Sequence, residues 1–324
     1  MRTLLAVDAG GTSTRAVVVA VDGECRGFGA AGSGNPISSG PEYAAREVAS
    51  AAGVAIAAAG GGGVEGPVVL AMAGSRADAD TAWIAPELAA AGARGPIRVE
   101  SDLLATFCAG AWEPDGYAMV AGTGAAAIRV RGGRQERVGD GLGWLLGDAG
   151  SGFWIGRRVV RAVSADLDRR GPATALTTLL LEALGITSAT TADHGGRPAA
   201  LHALVRAAYA LRPIELARFA PLVFAAEGDA TAARIRDEAR SALRDAFAAV
   251  HDPAVRGPLV AGGGVLAALG APDGLPGVDQ VRTVADGTVG AVVLALRADG
   301  VIVDRATFDR IRSSLDVLLE TPER

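Results

Sequence analysis

The sequence predicts an α/β protein made of two related halves that face each other across a cleft. The first observation is a buried strand, a glycine turn and a second apolar strand within residues 4–21. The second is the same arrangement at residues 117–130. The third is that short apolar runs alternate with helix-length segments after each unit, as in parallel sheets covered by helices. The chain has 324 residues, half of them hydrophobic, which is enough to bury sizeable cores.

The opening turn, residues 8–14, is interpreted as a phosphate-binding loop. Glycines allow backbone N–H groups to approach an anion closely, and threonine hydroxyls add further donors. Asp8 lies at the mouth of the turn, where it would face a metal ion or its water shell. Asp and Gly are also typical of a plain hairpin turn, so a turn without a ligand stays open at this point. The predicted phosphate contacts are Gly10, Gly11, Thr12 and Thr14.

The rest of the first half reads as alternating helices and strands. After a small-residue loop that carries Asn35, the pattern predicts helices over residues 42–59 and 79–91 and strands over 67–72 and 96–100.

The last of these strands leads directly into Ser101, Asp102 and a helix over residues 103–110. Asp102 is either a helix cap or a functional carboxylate, since open α/β sheets bind ligands at the carboxyl ends of their strands.

The second half opens on the turn Gly122-Thr123-Gly124, which suits the other side of a polyphosphate. Residues 139–156 hold seven glycines and two tryptophans, which predicts an ordered irregular loop with a functional role; a plain surface hinge is the alternative. Within this loop, Asp148 could bind hydroxyl groups and Trp144 offers an apolar face to a sugar-like ligand.

The remainder of the chain is predicted to be mostly helical, with helices over residues 166–184, 198–211 and 228–250. A third strand, glycine run and helix start occupies residues 258–266, and Gly262, Gly263 and Gly264 there suit close approach of a nucleotide. A last strand at residues 281–284 precedes helices over 287–298 and 308–319.

Composition excludes several chemistries. The chain has no lysine, so all 31 basic residues are arginine, which removes a Walker-type lysine and Schiff-base catalysis. Cys25 and Cys108 have no metal-type spacing, a net charge of −5 with no basic stretch argues against nucleic acid, and no apolar run is long enough to span a bilayer. We therefore expect a soluble cytoplasmic protein in which carboxylates perform acid–base chemistry.

Taken in order, the three glycine turns, Ser101-Asp102 and the loop at residues 139–156 resemble the sugar kinases of the actin-like, hexokinase-like ATPase group. The set is most similar to the BadF/BadG/BcrA/BcrD ATPase family, which includes N-acetylglucosamine kinases and bacterial glucosamine kinases. The resemblance implies two ribonuclease-H-like domains that close over ATP and a sugar. The smaller would comprise residues 1–104 and about 292–324, and the larger residues 105–291.

The same resemblance implies roles for individual residues. Asp102 matches the catalytic base and also a substrate contact, and Asp8 would hold Mg²⁺ through water. The two first glycine turns would bind the phosphates of ATP, and residues 262–264 would contact adenosine. The family also implies a small-molecule amino sugar as substrate, and a homodimer. Sugar contacts would come from Asn35, Asp102, Gly143 and Asp148.

One departure bears on the substrate. Related N-acetylglucosamine kinases read Gly-Asp-Glu-Gly-Ser where this chain has Ala149 after Asp148. The wider pattern looks most like glucosamine kinases, which implies phosphoryl transfer to the 6-hydroxyl of D-glucosamine, with N-acetylglucosamine as the alternative. Two further alternatives are an iron–sulfur ATPase that activates a dehydratase, for which suitably spaced cysteines are lacking, and a non-catalytic binding protein.

Overall fold

The computed structural model describes residues 2–74, 80–186, 193–194 and 196–320. Two five-stranded sheets carry the fold. Among the described helices, none combines the length and the apolar character needed to cross a bilayer.

The first sheet has the strand order β3-β2-β1-β4-β5. The first three strands run antiparallel to one another, whereas β1, β4 and β5 are parallel. Each parallel crossover passes through a helix, as such connections require. The strands are β1 Thr3–Ala9, β2 Thr14–Ala20, β3 Cys25–Ala31, β4 Val68–Met72 and β5 Ile97–Ser101.

The second sheet repeats this topology, in the order β8-β7-β6-β11-β12. Again three strands form an antiparallel meander, and β6, β11 and β12 are parallel. The predicted α/β fold with two related halves is therefore confirmed. The strands are β6 Gly116–Ala121, β7 Ala125–Arg131, β8 Arg134–Asp140, β11 Gly257–Gly262 and β12 Val278–Val284, and a separate two-stranded pair is formed by β9 Asp193–His194 and β10 Arg197–Pro198.

Helices cover both sheets and lie between them. The helices of the first half are α1 Pro36–Ser39, α2 Pro41–Ala58 and α3 Ala85–Ala90, and α4 Asp102–Gly110 leads into the second half. The second half contains α5 Gly143–Leu146, α6 Gly152–Leu167, α7 Leu176–Ala183, α8 Ala199–Tyr209, a 3₁₀ helix at Pro213–Phe219, α9 Leu222–Ala225, α10 Ala230–Ala248 and α11 Gly264–Leu269. The chain ends with α12 Thr288–Ala298 and α13 Arg305–Glu320.

Three hydrophobic cores define the layers. One lies between the first sheet and α2, and another between the second sheet and the helices α6 to α11. The central core joins the facing sides of the two sheets through α4 and α12. These two helices cross closely, because a Cβ atom at Gly290 would lie 1.7 Å from the carbonyl oxygen of Ala105. Only glycine allows this contact, and it fixes the two halves side by side.

Several predicted elements differ from the structure. Strands β3 and β8 were not predicted, because the glycines of β3 and the charged residues of β8 hide the apolar alternation of a strand. The helix predicted over residues 166–184 is two helices, separated by a turn in which Arg169 has a φ of 56°. The helix predicted from residue 79 begins at Ala85, and residue 79 itself lies outside the described residues.

The loop predicted over residues 139–156 also contains regular structure. It includes the end of β8, the short helix α5 and the first turns of α6. The proposed domain boundaries stay a prediction; the first of them, at residues 104 and 105, lies inside α4, which contacts strands of both sheets.

Candidate active site

The predicted phosphate, base and nucleotide residues lie at the carboxyl ends of parallel strands in both sheets, and the predicted sugar contacts Asn35, Gly143 and Asp148 follow the antiparallel strands β3 and β8. This is the edge where α/β sheets bind their ligands, because helix N-termini and turn N–H groups meet there. Pairing between the strands places the ends in register. The last paired residues of the parallel strands are Ala9, Met72 and Ser101 in the first sheet, and Val120, Gly262 and Val284 in the second.

The first glycine turn is closed by backbone hydrogen bonds. The N–H of Gly10 donates to the carbonyl of Ser13 at 3.0 Å, and the N–H of Gly34 donates to the carbonyl of Gly10 at 3.2 Å. Gly11 and Thr12 are exposed and can reach a ligand.

Thr14 is placed differently from its predicted phosphate-binding role. Its side chain is fully buried, and its hydroxyl donates to the carbonyl of Gly32 at 2.8 Å. This threonine therefore joins β2 to the loop that carries Asn35, and its hydroxyl is already used.

Asp8 faces the N-terminus of α12. Its carboxylate accepts a hydrogen bond of 3.0 Å from the N–H of Gly287. Burial and the nearby negative charge of Asp286 raise the pKa of Asp8 to about 6, against the opposing effects of this hydrogen bond and of Arg15. Arg15 lies 3.5 Å from the carboxylate of Asp286, so the two acids share one cation.

Oxygen donors around Asp8 suit a hard divalent cation. The side-chain hydroxyl of Thr288 is buried without a hydrogen-bond partner in the described part of the chain, and its N–H donates to Asp286 at 2.9 Å. Two carboxylates and one orphaned hydroxyl are the ligand type that Mg²⁺ prefers. No group of three or more acidic, histidine or cysteine side chains forms a metal cage among the described residues, so water or phosphate oxygens would complete the coordination.

Asp102 occupies the first turn of α4, next to the helix cap. The cap is Ser101, whose hydroxyl accepts from the N–H of Leu103 at 3.2 Å; the Oδ1 atom of Asp102 accepts from the same N–H at 2.9 Å. No described donor bonds to its Oδ2 atom. Burial raises the pKa of Asp102, against the opposing effect of the N–H groups of Leu103 and of Asp102 itself. Its negative charge makes a small contribution to the raised pKa of Asp8.

The second glycine turn is tied to the start of α6. The N–H of Gly122 donates to the carbonyl of Gly124 at 2.9 Å, and the N–H groups of Gly152 and Phe153 donate to the carbonyls of Gly122 and Thr123 at 2.7 and 3.2 Å. The side chain of Thr123 is exposed. The turn is thus rigid, with its outer surface open.

Asp148 packs against this second turn. Its backbone is left-handed, with a φ of 56°, because its own N–H and that of Ala149 both donate to Asp140, at 2.7 and 2.9 Å. Its Oδ1 atom accepts from the N–H of Ala125 at 3.3 Å. Burial raises the pKa of Asp148, while the N–H groups of Ala125 and Gly143 oppose this. Gly143 and Asp148, both predicted sugar contacts, are therefore neighbours.

Asn35 lies beside the first turn and caps α1. Its Oδ1 atom accepts from the N–H of Ile37 at 2.8 Å, and its side chain is buried. The preceding Gly34 is the residue that bonds to Gly10. The backbone bond of Gly34 thus holds Asn35 close to the phosphate loop, and the cap orients its side chain.

The third glycine run positions α11 against the second turn. Gly262 is buried in β11, and Gly263 has a φ of 95° with room for no side chain, since a Cβ atom there would lie 2.5 Å from the carbonyl oxygen of Ala121. Gly264 lines an apolar cavity with a volume of about 350 Å³. Its walls are Gly122, Thr123, Gly152, Gly264, Ala217, Ala220, Pro221, Phe224, Val265 and Ala268.

Comparison with known proteins agrees with this geometry. The family model of the BadF/BadG/BcrA/BcrD ATPases matches residues 5–295. The chain belongs to this ATPase family. Family membership covers nearly the whole chain and implies the use of ATP.

Individual relatives of this family member are sugar kinases by name. A glucosamine kinase of Vibrio cholerae is 34% identical over 179 residues, which is 54% of this chain and 59% of the relative. An N-acetyl-D-glucosamine kinase of Dictyostelium discoideum is 31% identical over 204 residues, or 56% and 60% of the two chains. These matches span about three fifths of the length of each relative.

A solved structure extends the likeness to the whole fold. A Chromobacterium violaceum protein, provisionally named an N-acetylglucosamine kinase, superimposes with a TM-score of 0.71 at 25% identity. The alignment covers 91% of this chain and 99% of that one. The fold is that of the actin-like ATPases.

Sequence reasoning missed several residues that the structure places in the candidate site. Asp286 follows β12 and precedes α12, which is the same strand, acid and helix pattern that singled out Asp102, so the signal was present. Asp140 was hidden in a predicted loop. The apolar wall formed by Ala217, Ala220, Pro221 and Phe224 gave no signal, because its segment reads as ordinary helix.

Trp144, predicted to face the sugar, lines a different cavity. Its ring packs edge-on against Phe153, with ring centroids 5.7 Å apart. Ala149 lines the same cavity.

Proposed function

We propose that the protein transfers the γ-phosphoryl group of ATP to the 6-hydroxyl of D-glucosamine. The observation that carries this proposal is the position of Asp102. It has a free carboxylate oxygen at the carboxyl end of the first sheet, where the first glycine turn also lies, while the second turn and an apolar cavity lie at the corresponding end of the second sheet. A sugar hydroxyl, a phosphate chain and a nucleoside could therefore lie in sequence along one crevice.

The nucleoside of ATP would occupy the apolar cavity beside Gly264. Its volume of about 350 Å³ is within the range of small-ligand pockets, and Phe224 and Val265 supply apolar contacts for a base. The exposed N–H groups and hydroxyls at Thr12 and Thr123 would bind the phosphates from the two halves.

Asp8, with Asp286 close by, would hold Mg²⁺, directly or through water. When bound, the ion neutralises charge on the phosphates and so favours phosphoryl transfer. The carboxylates themselves repel each other without a cation, which is the main charge effect that raises the pKa of Asp8.

Asp102 would act as the general base. A carboxylate in a low-dielectric position holds a proton more tightly, so burial makes Asp102 a better acceptor for the proton of the 6-hydroxyl. Phosphoryl transfer needs positioning and charge stabilisation, and no covalent intermediate on the chain is required.

The sugar would be held by Asn35 from the first half and by Gly143 and Asp148 from the second. Asp148 is fixed by Asp140 and by the second turn, so its carboxylate is pre-oriented for hydroxyl groups. Closure of the halves would bring these contacts together.

Glucosamine is chosen over N-acetylglucosamine on two grounds. The relative with the higher identity is named a glucosamine kinase, and Ala149 departs from the sequence typical of N-acetylglucosamine kinases. N-acetylglucosamine is the second candidate, supported by the Dictyostelium relative. We also propose a homodimer, which sedimentation velocity would test.

An iron–sulfur ATPase role finds no support in the thiols. Cys25 and Cys108 are both buried, and burial raises the pKa of each to about 11. Neither thiol can meet a partner subunit's thiol without opening the core.

The test is release of ADP from Mg-ATP with glucosamine, N-acetylglucosamine, glucose and mannosamine as acceptors. We expect the highest kcat/KM for glucosamine, and mass spectrometry should find the phosphate on the 6-hydroxyl. A preference for glucose would contradict a hexosamine kinase. If none of the four sugars supports ADP release, the proposal as a whole is contradicted.

A further inference from the structure

A second cavity, outside the proposed active site, lies between α5, α6 and α10. Its volume is about 550 Å³, which suits a small ligand. It shares no residue with the walls of the apolar cavity near Gly264. Four of its lining residues are arginines, and three are aromatic.

The arginines give this cavity an excess of positive charge. A single carboxylate, that of Glu238, pairs with Arg158 at 2.9 Å and with Arg234 at 3.0 Å. Arg157 and Arg161 have neither an ion pair nor a hydrogen bond within the described part of the chain, and both are exposed. Burial and the three other arginines lower the pKa of Arg158, and Glu238 only partly opposes this.

Aromatic side chains line the same cavity. The guanidinium of Arg158 lies 3.7 Å from the ring centre of Trp154, a cation–π contact that holds this arginine in place. Trp144 is 41% exposed, and its ring contact among the described residues is the T-shaped one with Phe153. Part of the indole is thus accessible to a ligand in the cavity.

We propose that this cavity binds a phosphate monoester carried by a sugar or nucleoside ring. The unpaired guanidinium groups of Arg157 and Arg161 match the dianionic charge and oxygen geometry of a phosphate better than a carboxylate, which carries one charge. The ring of the same ligand would stack on Trp144. Sugar phosphates and nucleotides share this chemistry.

The cavity is connected to the proposed sugar site through one short segment. Gly147 and Ala149 line the cavity, and Asp148 lies between them. The N–H groups of Asp148 and Ala149 are both bonded to Asp140, so one carboxylate holds both residues of this segment. Resting on the proposed function, we infer that an occupied cavity changes the KM for the sugar.

Binding is tested by isothermal titration calorimetry with three probes: glucosamine 6-phosphate, AMP and inorganic phosphate. The variant is the double substitution Arg157→Ala with Arg161→Ala. It removes two unpaired charges and no described contact, so it should fold normally. The control is Arg244→Ala with Arg312→Ala, which removes two exposed arginines away from the cavity.

We expect at least one ring phosphate to bind wild-type protein, with Kd at least about tenfold higher in the cavity variant and within about twofold of wild type in the control. If only the affinity for glucosamine 6-phosphate is lost in the cavity variant, the ligand is a sugar phosphate; if only the affinity for AMP is lost, it is a nucleotide. Binding of the same probes at the active site can be told apart, because it persists in the cavity variant.

Three results would overturn the proposal. The first is an unchanged Kd in the cavity variant for every phosphate. The second is equal binding of inorganic phosphate and both ring phosphates, which excludes the aromatic contact. The third is a change of oligomeric state in the cavity variant by sedimentation velocity, which would make this surface a contact between subunits.

The kinetic link has a separate test. The ring phosphate that binds the cavity should shift the sugar KM of wild-type enzyme by about threefold or more, and the cavity variant should show no such shift. Absence of the shift in an active enzyme contradicts the link alone. Absence of any kinase activity contradicts the proposed function and leaves the calorimetric result intact.

Discussion

The two glycine turns have the same local form and very different surroundings. Each follows the first strand of its sheet and returns into an antiparallel strand. Around the first turn lie Asp8, Asp286 and Arg15, so its neighbourhood is charged. Around the second lie Asp148 and an apolar cavity.

This difference shows how a repeated unit acquires two tasks. The backbone of either turn can bind phosphate, because glycine leaves its N–H groups accessible. The side chains that surround the turn then decide what else binds there. Under the proposed function, the first half would bind the cation and accept the proton, and the second half would bind the nucleoside.

The strongest test of the charged half is Asp102→Asn. We expect kcat to fall by about 10²- to 10⁴-fold, with little change in sugar affinity, because the amide cannot accept the proton. ADP release and calorimetric sugar binding measure the two effects. Ser101→Ala is the matched control: it removes the helix cap and should cost about 1 kcal/mol of stability while keeping most activity. Near-normal turnover in Asp102→Asn would place the base elsewhere.

The apolar half is tested by filling its cavity with Ala268→Trp. Ala268 is exposed and lines the cavity, so an indole there would occupy the space assigned to the nucleoside. We expect the KM for ATP to rise by about 10- to 100-fold, with the sugar KM within about twofold of wild type. Ala267→Trp changes the neighbouring exposed residue, which does not line the cavity, and should have no effect. Equal effects of both variants would mean that the nucleoside binds elsewhere.

Asp8 predicts a pH-dependent stability in the charged half. Its pKa of about 6 is raised, so the folded chain keeps a proton that the unfolded chain loses at lower pH. The stability from this proton is present at acidic pH and is lost as the pH rises through 6. In EDTA, the free energy of unfolding of Asp8→Asn should therefore exceed that of wild type by about 1–3 kcal/mol at about pH 7.5, and the two should be equal near about pH 4.

Urea unfolding at the two pH values measures this difference. Asp316→Asn, which changes an exposed aspartate on α13, should show no pH-dependent difference from wild type in the free energy of unfolding. Added Mg²⁺ should stabilise wild type more than Asp8→Asn, because the ion replaces the missing proton. If the difference in free energy of unfolding between wild type and Asp8→Asn were the same at all pH values, the raised pKa of Asp8 would be contradicted.

The smallest effects should come from the threonines of the two turns. Thr12→Ala and Thr123→Ala each remove one exposed hydroxyl, and we expect the KM for ATP to rise about three- to tenfold in both. Thr14→Val removes the buried bond to Gly32, so it should lower the melting temperature and leave the KM unchanged. A change of KM in Thr14→Val alone would reverse our view of which hydroxyl contacts phosphate.

Local pattern was enough for much of the architecture. The strand that carries Asp8, the strand that ends just before Asp102, the turn at Gly122 and the long helices were all predicted. They follow from apolar periodicity and glycine placement, which act between near neighbours. The same pattern missed β3 and β8. Their glycines and charged residues fit a strand only because the neighbouring strand and helix cover them, as at Gly29, where a Cβ atom would lie 2.2 Å from the carbonyl oxygen of Ala51.

By itself, the sequence determined the α/β class, the two related halves and the motifs that place the chain in its ATPase family, since these depend on spacing along the chain. Tertiary structure alone decided which motif residues meet. Asp8 contacts Gly287 across 279 positions, Thr14 turns inward, and four arginines gather around a second cavity. Burial and charge at these contacts arise from packing between distant segments, and that packing is what sets the pKa of Asp8 and the free oxygen of Asp102.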